Sequence, residues 1–140
     1  MRISPALRFT PLLIIFLSGC ARTGGEGTQG ILRQAHEPLG NTRVTVNRVV
    51  KNSIESIGFG VSDADGTFQL VTGADGRGLR LPAGDYCFTL KSVGAQVRIP
   101  NEYAQVNLTP LRLSWLGGDQ HLELEMRVKS GQSPTSKIAK

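Results

Sequence analysis

Apolar and polar side chains alternate with a period of two along most of this chain, and glycine-bearing turns separate the alternating stretches. The clearest case runs from Gly58 to Leu90. Phe59 and Val61 precede Asp65-Gly66, Phe68 and Leu70 follow it, and an Asp-Gly pair between alternating runs predicts a β-hairpin. After Pro82-Ala83-Gly84, residues Tyr86, Phe88 and Leu90 resume the pattern. Upstream, Thr42 to Val50 predicts a strand with Val44 and Val46 on one face, and Ile31 to Ala35 a first edge strand. His36 to Asn41 is punctuated by Pro38 and Gly40 and predicts a turn. Lys51 to Ser56 is polar and predicts a loop, with the stretch from Val49 to Ile57 left without a pairing partner. Gly73 to Gly78 is another turn. Val97 to Val106 carries Pro100 and lacks clean alternation, which predicts an irregular crossover with a helical turn at Asn101-Glu102-Tyr103. Leu111, Leu113 and Trp115 mark a strand closed by Gly117-Gly118-Asp119. Leu122, Leu124, Met126 and Val128 mark the last one, with Glu123, Glu125 and Arg127 on its other face. About seven short strands at this spacing predict an all-β, antiparallel Greek-key β-sandwich.

Composition agrees with that reading. The chain has 140 residues, 39% of them hydrophobic, and 17 glycines, which suits one turn-rich β domain better than a helical one. Its +5 charge falls to +3 once Arg2 and Arg8 are set aside with the leader described next. The remaining basic residues are scattered and not interleaved with aromatics, so they do not make a nucleic-acid face. At most they favour loose contact with anionic lipid or polysaccharide.

Arg2 and Arg8 form a positive region ahead of an apolar run from Phe9 to Leu17, the length of a signal-peptide core and too short to span a bilayer. Leu17-Ser18-Gly19-Cys20 then matches the bacterial lipobox. Small side chains admit the extended peptide to a lipoprotein signal peptidase, and the Cys20 thiol carries the diacylglycerol. Residues 1–19 are therefore expected to be a lipoprotein signal peptide, and the mature chain to begin at Cys20 bearing fatty acyl chains of the palmitate kind. Several chains on one cysteine anchor firmly, each buried CH₂ contributing about 0.8 kcal/mol. Ala21, not Asp, follows the lipid, the default sorting pattern for the outer membrane in a double-membraned cell. Residues 20–30, rich in glycine and small polar residues, predict a flexible tether, and residues 130–140 a disordered tail.

Three segments carry a resemblance: Glu37-Pro38-Leu39-Gly40-Asn41-Thr42-Arg43-Val44-Thr45-Val46, Ser62-Asp63-Ala64-Asp65-Gly66-Thr67-Phe68 and Leu81-Pro82-Ala83-Gly84-Asp85-Tyr86. Together they resemble the carboxypeptidase regulatory-like domain, which has a transthyretin-like (prealbumin-like) sandwich. Ile99-Pro100-Asn101-Glu102-Tyr103 with Thr109-Pro110-Leu111 is similar to small bacterial lipoproteins built on that domain. The resemblance covers residues 31–129 and implies fold, not chemistry.

Candidate chemistry is sparse. Asp63-Ala64-Asp65-Gly66 invites calcium, but in EF-hand alignment Val61 and Thr72 fall on essential oxygen positions; turn-forming Asx side chains explain the residues. His36, His121, Tyr86 and Tyr103 are the residue types of a two-His, two-Tyr iron site, without the closely spaced histidines that intradiol dioxygenases use. His36-Glu37 lacks the second histidine of a zinc helix. The terminal Tyr-Arg-Gly-Ser of hydroxyisourate hydrolase is absent. No cofactor, metal or catalytic residue is expected, and the protein is not expected to be an enzyme. Cys87 has no disulfide partner once Cys20 is lipidated. It is out of phase with Tyr86 and Phe88, hence outward-facing: either a small shielded side chain or an accessible thiol. Trp115 and Leu116 are expected in core or edge packing rather than as a sugar platform. The reading that emerges is a lipid-anchored, non-catalytic module of the bacterial cell envelope with an envelope protein as partner; the alternative is a polysaccharide-binding lipoprotein.

Overall fold

A computed structural model describes residues 27–94, 97–118 and 121–127. Four strands form one sheet: β1 (Gln29–Gln34), β2 (Glu37–Pro38), β5 (Thr67–Gln69) and β9 (Leu122–Met126). The other sheet has five, in the order β6 (Val71–Thr72), β4 (Ser53–Val61), β3 (Thr42–Val50), β7 (Gly84–Ser92) and β8 (Arg112–Trp115). A single helical turn, α1 (Asn101–Ala104), lies within the predicted crossover. The core is shared by the two sheets. Leu32, Phe68, Leu122, Leu124 and Met126 from the first pack in one cluster with Val44, Val46, Tyr86, Phe88, Leu90 and Trp115 from the second. This is an all-β, two-sheet protein of nine described strands, seven of them three residues or longer.

Alternation placed β3, β7, β8 and β9 correctly, and in each the predicted apolar face is the one turned inward. Several expectations need correcting. First, β1 is not an edge strand: it pairs with β9 on one side and with β5 and β2 on the other. Second, that β1–β9 pairing is parallel, so the sheet is mixed rather than purely antiparallel. Third, residues 27–30 of the expected 20–30 tether belong to the domain. Thr28 is buried, its carbonyl accepts from Leu70 N at 2.9 Å, and its Oγ1 accepts from Leu81 N at 3.0 Å. Satisfying buried backbone in this way is what makes these residues part of the domain.

Fourth, Lys51 to Ser56 is no loop. β3 and β4 form a long hairpin closed by Lys51-Asn52, with Val50 opposite Ser53 and Lys51 at a positive φ of 51°. The segment is polar because this part of the hairpin runs past the core into solvent, and Ile57 is the extra residue of a bulge between Val46–Gly58 and Asn47–Ser56. Fifth, Asp65-Gly66 does not close a hairpin. It carries the chain from β4 in one sheet to β5 in the other. Gly66, at φ 78°, donates its N–H to Asp63 O at 2.8 Å, and Asp65 Oδ1 accepts from Thr67 Oγ1 at 2.8 Å. An arch between sheets needs the same turn residues as a hairpin, so the local signal does not distinguish them.

β4 also inverts its predicted face. Gly58 and Gly60 point inward and are buried, whereas Phe59 is half-buried on the outside and Val61 is 44% exposed. A Cβ on Gly58 would lie 2.4 Å from Val71 O, and one on Gly60 2.7 Å from Gln69 O. The chain leaving β5 crosses too close to β4 for any side chain to stand between them.

The strands define two ends. At the proximal end lie Thr28, the β3–β4 hairpin tip, the 73–78 turn, and the start of β7 beside the end of β8. At the distal end lie the Ala35-His36 turn, the arch at Asp65-Gly66 and the close of β9. The leader, Cys20, the tether as far as Glu26, Asp119, Val128 and the 130–140 tail fall outside the described residues.

Candidate functional site

The outer face of the five-stranded sheet carries a shallow groove of about 320 Å³, bounded by Arg43, Thr45, Ser56, Phe59 and the turn at Thr72–Ala74. It exists because β4 turns its glycines inward, which puts Phe59 on the outside directly across from Thr45. The Arg43 guanidinium lies over the Phe59 ring, its Cζ 4.0 Å from the centroid. That contact is a cation–π interaction worth about 0.5–1 kcal/mol at an exposed site. Across the groove, the turn is held by Asp75. Its carboxylate accepts from Thr72 Oγ1 and from Arg77 N, and pairs with Arg77 Nε at 3.2 Å. The Thr72 hydroxyl and then the Arg77 amide hold Asp75 below the usual carboxylate range. The groove thus presents a guanidinium, hydroxyls and the edge of an aromatic ring. Such a surface offers hydrogen bonds and positive charge.

The sequence-derived candidates are scattered over the molecule. Cys87 is on the outward face as predicted, yet it is fully buried, across from Asn47 on one side and Arg112 on the other. Asn47 Nδ2 donates to Cys87 O at 3.2 Å, and Arg112 is tied down by hydrogen bonds to Val106 O and Thr109 O. Burial pushes the thiol above its ordinary 9.0, with Arg112 opposing that shift. Cys87 is a free thiol, and of the two alternatives its burial fits the shielded side chain; a buried thiol held protonated is poorly reactive. Cys20 lies outside the described residues.

His36 sits at the distal end, 90% exposed, with Nδ1 3.4 Å from Glu125 Oε1. His121 precedes β9 at the proximal end. β1 and β9 are parallel, so the two histidines stand at opposite ends of one sheet. Tyr86 and Tyr103 are buried with their hydroxyls engaged: Tyr86 donates to Pro82 O at 2.6 Å, and Tyr103 donates to Arg127 O at 3.1 Å and accepts from Arg127 N at 2.9 Å. Burial raises the Tyr86 phenol above its ordinary 10.0, and Arg48 partly offsets it. The four residues of an iron-type set are not brought together. Among the described residues no three His, Cys, Asp or Glu side chains gather in a way that could hold a metal ion. Trp115 packs in the core and donates Nε1 to Leu81 O at 3.1 Å, so it is not a platform, while Leu116 is 81% exposed.

The Arg43–Phe59 pair escaped the sequence reading. A signal for it was present in Gly58-Phe59-Gly60, where a lone aromatic between glycines fits an outward position if the glycines face a close neighbour.

Fold and surface together define an all-β, two-sheet protein with a shallow cationic groove. No family model, curated protein or solved structure matches the chain. Among the described residues no helix is long and apolar enough to cross a membrane.

Proposed function

We propose that this protein is a lipid-anchored, non-catalytic β-sandwich of the bacterial cell envelope, acting as a structural or protein-interaction module. The observation that carries the proposal is the spacing of two features. The lipobox cysteine, Cys20, stands seven residues ahead of Gly27, the first described residue, which already packs in the domain. A lipid on that cysteine would hold the domain close to a bilayer through a short linker. Ala21 supports the outer membrane as the destination. The Tyr86 hydroxyl bonded to the carbonyl four residues upstream has the geometry of a tyrosine corner. That device occurs in Greek-key sandwiches, and it supports the transthyretin-like, carboxypeptidase regulatory-like type. The separation of the histidines, the buried tyrosines and the shielded Cys87 supports a binding role over a catalytic one.

Mass spectrometry of the amino-terminal peptide tests the anchor. Acylated Cys20 is expected, with Cys20→Ala shifting the protein from the membrane to the soluble fraction; an unmodified amino terminus overturns the proposal. Pulldown from solubilised envelopes tests the role, and enrichment of one protein is the expected result. The groove at Arg43, Thr45 and Ser56 favours a second reading, envelope polysaccharide, because hydroxyls and a guanidinium match a sugar's hydrogen-bonding groups. Retention on cell-wall or capsule glycan, lost in Arg43→Ala, would select it.

A further inference from the structure

We propose that the proximal end of the sandwich rests on the phospholipid surface, with Leu116, Val50 and Ile54 entering the headgroup layer. This rests on the lipid-anchor reading above. The chain emerges at this end: Gly27 lies against Leu70, Gly78 and Leu79, beside the 73–78 turn. The seven residues back to Cys20 span at most about 25 Å even when fully extended. The nine-residue strands beside them are ~30 Å long. A tether shorter than the domain keeps the proximal end, not the distal one, beside the bilayer.

The side chains there suit that neighbour. Leu116 is 81% exposed, the most exposed of the described large hydrophobics. Trp115 before it is pinned by its bond to Leu81 O, and Gly117 after it is in the left-handed region at φ 84°. Val50 and Ile54 flank the Lys51-Asn52 turn at 43% and 37% exposure. Lys51 forms the turn itself, while Arg48 lies across from Glu55 and Arg77 is paired with Asp75 at the same end. Val61, Val93 and Leu108 are also exposed, but they belong to the distal half. There the carboxylates Glu37, Asp63, Asp65, Glu102 and Glu125 are matched by Arg33, Arg43, Lys91, Arg98 and Arg127, so the length of the tether, not charge, separates the two ends. Apolar side chains buried at the interface with cations beside them are the pattern of interfacial binding.

The test uses the full lipidated chain reconstituted in phosphatidylethanolamine vesicles containing phosphatidylglycerol. An environment-sensitive fluorophore is placed through Leu116→Cys, or through Leu108→Cys as the distal control. The labelling is selective because Cys20 is acylated and Cys87 is buried. Both substituted positions are exposed, so neither change disturbs the core. The expected result is a blue-shifted emission at position 116, with loss of aqueous iodide quenching and gain of quenching by lipid-borne nitroxide; position 108 should remain iodide-quenched. Lys51→Glu should restore part of the iodide quenching at 116. Acylated Cys20 with equal iodide quenching at both positions overturns the docking alone. Unacylated Cys20 overturns the anchor and the docking with it. Shielding of position 116 only when other envelope proteins are added assigns the surface to a protein and also overturns the docking.

Discussion

β7 and β4 look alike in sequence and behave oppositely in the fold. Each alternates aromatic or aliphatic residues with small or polar ones, yet β7 turns Tyr86, Phe88 and Leu90 inward while β4 turns Gly58 and Gly60 inward. The difference lies in what stands opposite. β7 faces an open interior that large side chains must fill to reach the close packing of a protein core. β4 faces backbone, because the arch through Asp65-Gly66 brings Gln69 and Val71 within contact distance of it. Which face of an alternating strand is buried is thus decided by its neighbour, not by its own hydrophobicity.

The largest effect is expected at Phe88. Phe88→Ala should cost about 3–5 kcal/mol in urea unfolding, the usual range for emptying an aromatic site in a core. Next comes the inverted face of β4. Gly60→Ala should cost about 1–3 kcal/mol, because its Cβ would press on Gln69 O and Phe68 Cδ2 at 2.7 and 3.1 Å. A neutral result there would mean that the two sheets can separate at this point. Tyr86→Phe removes the bond to Pro82 O and should cost about 1 kcal/mol.

The pH dependence follows from the same strand. The folded pKa values of Tyr86 and Cys87 are raised above 10.0 and 9.0, so the folded state holds these protons more tightly than the unfolded one. Their contribution is complete below those ordinary values and is lost as pH rises through and beyond them. Stability should therefore fall above about pH 9, and Cys87→Ala or Tyr86→Phe should each reduce the slope of melting temperature against pH. In the native protein Cys87 should not react with a thiol reagent at pH 8 until urea unfolds the domain. The smallest effect belongs to Phe59. Phe59→Ala should cost about 1 kcal/mol or less, mainly the loss of the Arg43 contact. A penalty as large as that at Phe88 would show that β4 had been assigned the wrong face.

Local pattern made much of the fold legible. Wherever a strand meets only side chains, as in β3, β7 and β9, alternation gave both its extent and its buried face. It failed where the determinants were distant in sequence. Lys51 to Ser56 looked like a loop because hydrophobicity reports burial, and a hairpin that extends into solvent has none to report. Asp65-Gly66 specified a reversal without specifying which sheet receives the chain. The pairing of β1 with β9 depends on residues some ninety positions apart and leaves no local mark. Cys87 was placed on its face correctly, but its shielding comes from Asn47 and Arg112 on neighbouring strands, which phase alone does not disclose. The groove was missed for a related reason: it depends on the inverted face of β4.

The parallel pairing of β1 and β9 has a mechanical consequence. The chain comes in at one pole of the sandwich and departs at the other, so tension applied between its two ends would try to slide these neighbouring strands along each other. Every rung of their ladder would then share the load at once instead of parting in succession. A two-sheet body wired in this way is suited to stay folded while being tugged from both sides.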